Sequence, residues 1–370
     1  MKKPAIRYLV SSPAGDVHVD TGRLDYPLEA DPLKTPYRVY FRAITDFLTR
    51  ENFQTFIEAV NDRPGSDFDL SAVKEIIIRT EKHGALYHPA SIECVTAGKK
   101  VKFCLNVAVT ETGKNALNKE FDILRTLHEQ HNLPYIPKPF LLNESHSMAF
   151  LLEEWFENYH EFHIAESEDG EEQLKLWEYG KGDRFLSHEQ SFEIYRQIAM
   201  ILTLYYDIEN YRMIFPWHHA AGDFIVKLAE ETLIDVRLTT VRGYDPFMEA
   251  SDENMALPAL ALFYFLLHLS IQMRLDRLDG VGDIVWADEK CIDATLSGFF
   301  LGLESKKAFR DYCGSQEEFL TLLRSFSMDD LATTFKPIVA QYQKTKDFPV
   351  IERNLGNHVA RLYLILRNYP

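Results

Sequence analysis

Tyr211-Arg-Met-Ile-Phe-Pro-Trp-His-His-Ala-Ala-Gly-Asp-Phe-Ile-Val-Lys227, followed by Glu231-Thr-Leu-Ile-Asp-Val-Arg-Leu-Thr-Thr-Val-Arg-Gly243, is the stretch on which the reading of this chain turns. Its apolar runs, Phe224 to Lys227 and Leu233 to Val241, have the composition of two short strands. The Leu-Ala-Glu-Glu-Thr between them is short enough to be the turn of a hairpin. Two histidines, His218 and His219, the pair Gly222-Asp223 and a second aspartate, Asp235, gather around that hairpin. In such a pairing Asp223 and Asp235 are expected to face one another, and two close carboxylates need a metal ion, a proton or a cation between them. The plainer alternative makes Gly222-Asp223 a turn and Asp235 an exposed strand residue.

Upstream, Val73 to Thr80, Ser91 to Thr96 and Val101 to Val109 read as consecutive strands, the last two joined by a tight Ala-Gly-Lys-Lys turn. Leu117, Phe121, Leu124 and Leu127 then fall on one helical stripe, and Pro139 to Leu142 and Met148 to Glu153 resume the strands. This order describes an α+β lobe over residues 71–156, a small antiparallel sheet with one helix across it. Residues 1–70 read as an irregular arm with room for one strand, followed by amphipathic helices between Tyr37 and Val60. The acidic stretch of residues 157–186, with Glu-Ser-Glu-Asp-Gly-Glu-Glu at its centre, is expected to be a mobile insertion. Residues 187–370 read as a mostly helical lobe, with helices over Ser191 to Tyr206, Ala256 to Arg277, Cys291 to Leu303, Glu317 to Phe326, Phe335 to Gln343 and Asn357 to Arg367.

A 370-residue chain that is 46% hydrophobic can bury a large core in two or three packed lobes. Its formal charge of -16 argues against a nucleic-acid or anionic-membrane partner, because such surfaces repel an acidic face. Cys94, Cys104, Cys291 and Cys313 form no CxxC pair and are expected to be reduced thiols. The apolar run near the N-terminus is too short for a secretory signal, which predicts a cytoplasmic location. Ala256 to Met273 approaches the length of a membrane span, but Pro258, His268 and Gln272 make it a buried core helix. His128 with His131, and His160 with His163, stand three apart, yet neither pair has a third ligand, so solvated surface histidines are expected. No GxSxG, Walker loop or HExxH is present.

A small sheet with one helix, a connector, a long helix, a polar loop with a short hairpin and a helical remainder is the order of protein-kinase-like folds. The chain resembles most the aminoglycoside and choline phosphotransferase branch, over about Val73 to Leu303. The resemblance implies a two-lobed fold that binds ATP and magnesium. It aligns Glu120 with the helix glutamate that pairs with a strand lysine, and puts Asn106 where that lysine belongs. Glu81 to Pro89 becomes the phosphate-covering loop, with Lys82, His83 and His88 supplying charge, and Glu153 and Trp155 fall at the purine-binding hinge. Asp223 takes the place of the metal-binding asparagine, and His218 that of the catalytic aspartate, where a histidine can accept a hydroxyl proton. A second register makes Asp223 itself the catalytic aspartate.

The metal aspartate of the second strand is either Asp235 or, matched at the strand's end, Thr240, in which case Arg242 becomes a fixed cation suited to an anionic ligand. Missing both the lysine and the catalytic aspartate implies a degenerate member that binds a nucleotide or small anionic ligand. The alternatives are an active ATP-dependent small-molecule phosphotransferase with Asp223 and Asp235 on the metal, and a non-enzymatic module holding a protein partner. Asp276 and Asp279 are read as charges near a helix end, or as carboxylates for a cationic substrate.

Overall fold

The computed structural model describes residues 4–12, 15–20, 22–61, 68–81, 83–84, 86–178, 180–229, 233–248 and 257–369. The fold is mixed α+β, with a mostly antiparallel sheet and several helices, and divides into compact units of residues 1–157 and 158–370.

The first unit runs β1 (Ala5–Val10), β2 (Val17–His18), α1 (Tyr37–Thr49), α2 (Gln54–Asn61), β3 (Glu75–Thr80), β4 (Ala90–Val95), β5 (Lys100–Ala108), α3 (Glu111–His131), β6 (Pro139–Ser145) and β7 (Met148–Glu154). Its seven strands are ordered β2-β1-β3-β4-β5-β7-β6, and all neighbours are antiparallel except β1 and β3. Successive strand residues point to opposite faces, so the sheet sorts its own side chains. Ile76, Ile78, Ile92, Phe103, Leu105, Phe150 and Leu152 share a core with Phe41, Ile44, Phe47 and Phe56 of α1 and α2. The intervening positions, among them Cys104, Asn106, Leu151 and Glu153, lie on the other face, with α3 across β5, β6 and β7. Thr110 caps α3 by accepting from Gly113 N, and Asn132 ends it in the left-handed conformation.

The strand allowed for in the N-terminal arm is β1, which builds this segment into the sheet of the unit. β1 carries no apolar alternation strong enough to mark it, yet six of its residues pair with β3.

The second unit runs β8 (Phe162–Glu166), β9 (Glu172–Glu178), β10 (Gly182–Phe185), α4 (His188–Tyr205), β11 (Arg212–Ile214), β12 (Phe224–Leu228), β13 (Ile234–Leu238), β14 (Tyr244–Pro246), α5 (Leu257–Gln272), β15 (Leu275–Arg277), β16 (Ile284–Trp286), α6 (Lys290–Glu304), α7 (Lys307–Cys313), α8 (Gln316–Ser325), α9 (Met328–Ala340) and α10 (Phe348–Asn368). Residues 157–186, expected to be a mobile insertion, instead hold the antiparallel sheet β10-β9-β8. Its acidic residues cluster at the β8–β9 turn, while Phe162, Ile164, Leu174 and Leu176 are buried at every second position. The turn dominates the composition, and the alternation that makes the sheet is spread over only a few residues on each side of it.

α4 opens on a capping box at Ser187 and Gln190 and packs closely against α6. A Cβ at Gly298 would come within 2.0 Å of Arg196 O, so only glycine allows this approach. α5 is shorter than expected. It stops at Gln272, and the charged run after it is not a helix end, because Leu275–Arg277 pairs with Ile284–Trp286 and the buried Arg274 donates to Ala287 O. No helix among the described residues is long and apolar enough to cross a membrane.

Candidate functional site

In the second unit the register of the β12–β13 hairpin decides what the two aspartates do. Phe224 pairs with Leu238 and Lys227 with Asp235. Asp223 thus lies beside Thr239, whose N–H donates to Asp223 O at 2.7 Å, and Asp235 sits four positions further along the ladder. That is a separation of roughly 13 Å along a strand. The two carboxylates do not face one another, because residues meet across a hairpin only at matched distances from its turn. Asp235 is held instead by Arg237, through Nη1 and through Nη2 at 2.8 Å, and by the Tyr159 hydroxyl at 2.6 Å.

Asp223 is buried and saturated. Arg242 Nη1 donates to its Oδ2 at 2.5 Å, Arg242 Nη2 to its Oδ1 at 2.6 Å, and the His218 N–H to Oδ2 at 2.8 Å. Magnesium asks for near-octahedral oxygens at about 2.1 Å and for no cation beside it. A guanidinium spanning both oxygens of Asp223, with Asp235 engaged elsewhere, does not fit that ion. Among the described residues no group of three or more His, Cys, Asp or Glu side chains is placed to hold a metal.

His218 caps the 3-10 turn His219–Ala221, its Nδ1 accepting from Ala220 N at 3.1 Å. That bond uses the Nδ1 lone pair, so the neutral ring carries its proton on Nε2. A general base must aim a lone pair at its substrate, whereas His218 offers a donor. Nε2 lies 3.9 Å from Asp347 Oδ1. Together with Ala220, Ala221, Arg277 and Lys346, these two residues line a pocket of about 330 Å³.

His219 is a core residue. Burial pushes it down to about 4, its Nε2 lies 3.3 Å from Met273 O, and the rings of Phe162, Tyr195, Trp217 and Phe224 surround it. His163, expected at the surface, is buried on β8, with Nδ1 3.3 Å from Asp276 Oδ1. Burial alone would lower its pKa, but hydrogen bonds and charge from Asp276 and Glu161 raise it to about 9. Asp276 also accepts from the backbone N–H groups of Ile164 (2.9 Å) and Arg277 (2.8 Å), so it holds the fold together rather than facing a substrate.

In the first unit, Asn106 and Glu153 meet on the α3 face of the sheet, Asn106 Nδ2 donating to Glu153 Oε1 at 2.8 Å. Glu120 of α3 is buried beside them. Burial first, and then the charge of Glu120, push Glu153 well above the usual carboxylate range and favour its neutral, protonated form. The Cys104 thiol against it is pushed up as well by burial and by Glu153. Glu153 was expected at a purine-binding hinge, but its backbone lies in the ladder between β5 and β6, and the next N–H, Glu154, donates to Lys138 O.

Two N–H groups of the expected phosphate-covering loop bond within the loop, and that of His88 donates to Val107 O. Glu81 N donates to Pro89 O and Gly84 N to Tyr87 O. His88 is buried 3.8 Å from Asp31, and His83 lies 3.8 Å from Glu29. Lys82 lies outside the described residues.

Two features escape a linear reading. Lys102, to which the sequence reading gives no role, shares the Asn106 face of β5 and places Nζ 3.7 Å from the Trp155 ring centre and 3.8 Å from Glu81. Burial lowers its pKa. The residues around the His218 pocket come from three segments spread over more than 100 positions, and no spacing announces them. No protein-family model matches the chain, and neither does any curated protein.

Proposed function

We propose that the two units are the lobes of a protein-kinase-like fold that binds a nucleotide or another small anionic ligand and transfers no phosphoryl group. The element order supports the kinship: a strand set with Glu120 on its crossing helix, a long helix α4, the His218 loop and the β12–β13 hairpin. The Asp223–Arg242 pair carries the loss of activity. Phosphoryl transfer depends on positioned cations and carboxylates. Here both carboxylates aligned with metal ligands are engaged by arginines of their own chain, Asp223 by Arg242 and Asp235 by Arg237.

The test is an ADP-release assay with ATP and magnesium, run beside thermal unfolding. No ADP release above the buffer rate is expected, and any stabilisation by ATP should persist in EDTA. Magnesium-dependent ADP release that disappears in a folded Asp223→Asn variant would overturn the reading and restore the active phosphotransferase.

A further inference from the structure

We infer that the pocket bounded by His218, Arg277, Lys346 and Asp347 is a metal-free site for a small phosphate monoester. The inference deepens the function just proposed, naming the ligand class at the His218 loop, and rests on that reading for treating this loop as the ligand-binding one.

Three residues that carry donor groups line the pocket from separate elements. The Arg277 guanidinium comes from the end of β15, the Lys346 ammonium from the segment before α10, and the Nε2–H of His218 from the cap of the 3-10 turn. Arg277 donates to Gly282 O at 3.2 Å, and neither it nor Lys346 forms an ion pair among the described residues. Two unmatched cations are conspicuous in a chain of net charge -16, where carboxylates outnumber bases. The N-terminus of the 21-residue α10, with no acidic residue in its first turn, adds positive potential beside Lys346 and Asp347.

A lone carboxylate would be satisfied by the arginine fork, whereas a tetrahedral dianion matches an arginine, a lysine and an imidazole N–H arriving from different directions. Asp347 does not cap α10 with its side chain, so its carboxylate remains to accept a hydroxyl on the ligand's remainder. A volume of about 330 Å³ is at the small end for ligand sites and favours a compact phosphorylated molecule over a whole nucleotide.

The experiment is calorimetric titration of the intact chain in EDTA with inorganic phosphate, glycerol 3-phosphate and glycerol. Glycerol 3-phosphate should bind more tightly than phosphate, and glycerol should not bind. Arg277→Ala and Lys346→Ala each remove one charge-assisted contact and should weaken both phosphates about tenfold or more. Asp347→Asn should keep phosphate binding and narrow the preference for glycerol 3-phosphate. Arg277 is half-buried and Lys346 exposed, and circular dichroism of the variants checks that they fold. Absence of phosphate binding at millimolar concentration, or equal binding by the double Arg277→Ala/Lys346→Ala variant, refutes the site. Neither result bears on ADP release, so the two proposals fail separately.

Discussion

Arg242→Ala is the sharpest perturbation of this molecule. Asp223 is 1% exposed and accepts three hydrogen bonds, two of them from Arg242. Truncating the arginine leaves a buried carboxylate with only the His218 N–H. Removing one partner of a fully buried ion pair costs about 3–5 kcal/mol. The Arg242 side chain is 28% exposed, so water partly replaces it, and a loss of roughly 3 kcal/mol is the working figure. For a unit of this size that corresponds to a fall of about 6–12 °C in midpoint. The assay is urea or thermal unfolding of wild type, Arg242→Ala, Asp223→Asn and the double variant. If the cost is that of a stranded charge, the double variant is more stable than Arg242→Ala, because its asparagine carries no charge to strand. Arg242→Ala within about 0.5 kcal/mol of wild type, or additive single losses, would refute the clamp.

Gly298→Val forces a side chain into the Arg196 carbonyl and should cost more than the usual 1–3 kcal/mol of overpacking, whereas Gly356→Ala on α10, with nothing within 4 Å, should be neutral or stabilising by about 0.5–1 kcal/mol. Chemical denaturation of both variants checks the contrast. His163, raised to about 9, binds its proton more tightly folded than unfolded, so its contribution of roughly 3 kcal/mol is complete below pH 6.5 and is lost as pH rises through 9. Asp276→Asn should flatten that alkaline limb of the stability curve. His219 and His268, each lowered by burial to about 4, act in the opposite sense: stability present above pH 6.5 falls by about 1.4 kcal/mol per pH unit for each as pH drops toward 4. His268→Gln should shallow that acid limb in unfolding measured from pH 7 to 4.

How far the fold is legible in the sequence depends on how a segment is buried. β3, β4 and β5 are bounded by turns, with an apolar face fully covered by α1 and α2, and their spans are legible to within two residues. The helices α6 and α8 are likewise legible and α4 nearly so, since several turns repeat the same stripe, whereas α10 begins at Phe348, nine residues before the expected Asn357. β8 to β10 are not, because the Glu166-Ser-Glu-Asp-Gly-Glu-Glu172 turn outweighs four buried residues in any window. β15 is lost for the opposite reason: it follows a run so apolar that the helical period reads on past Gln272, and only the pairing of β15 with β16 stops it. Of the candidate site, residue identities are legible and partners are not. Nothing local tells that Asp223 meets Arg242 rather than Asp235, since a slip of a few residues in a hairpin with a five-residue turn exchanges one for the other.

On the proposed kinase-like alignment, the same substitution of charge occurs in each unit taken by itself. In the first, the position assigned to a lysine is Asn106, and the carboxyl it meets is held toward neutrality by burial and by Glu120. In the second, the carboxylate assigned to a metal is met by a guanidinium. Each arrangement balances its charge with groups the chain already carries, so on the proposed reading neither needs nucleotide or magnesium to be stable. A ligand stabilises a fold only where it finds interactions the protein does not already satisfy. That condition fails at Asp223 and holds at Arg277 and Lys346, two cations without ion-pair partners among the described residues. On the proposed reading a phosphate is therefore expected at Arg277 and Lys346 beside His218, whose imidazole is turned to donate rather than to accept, and not at Asp223.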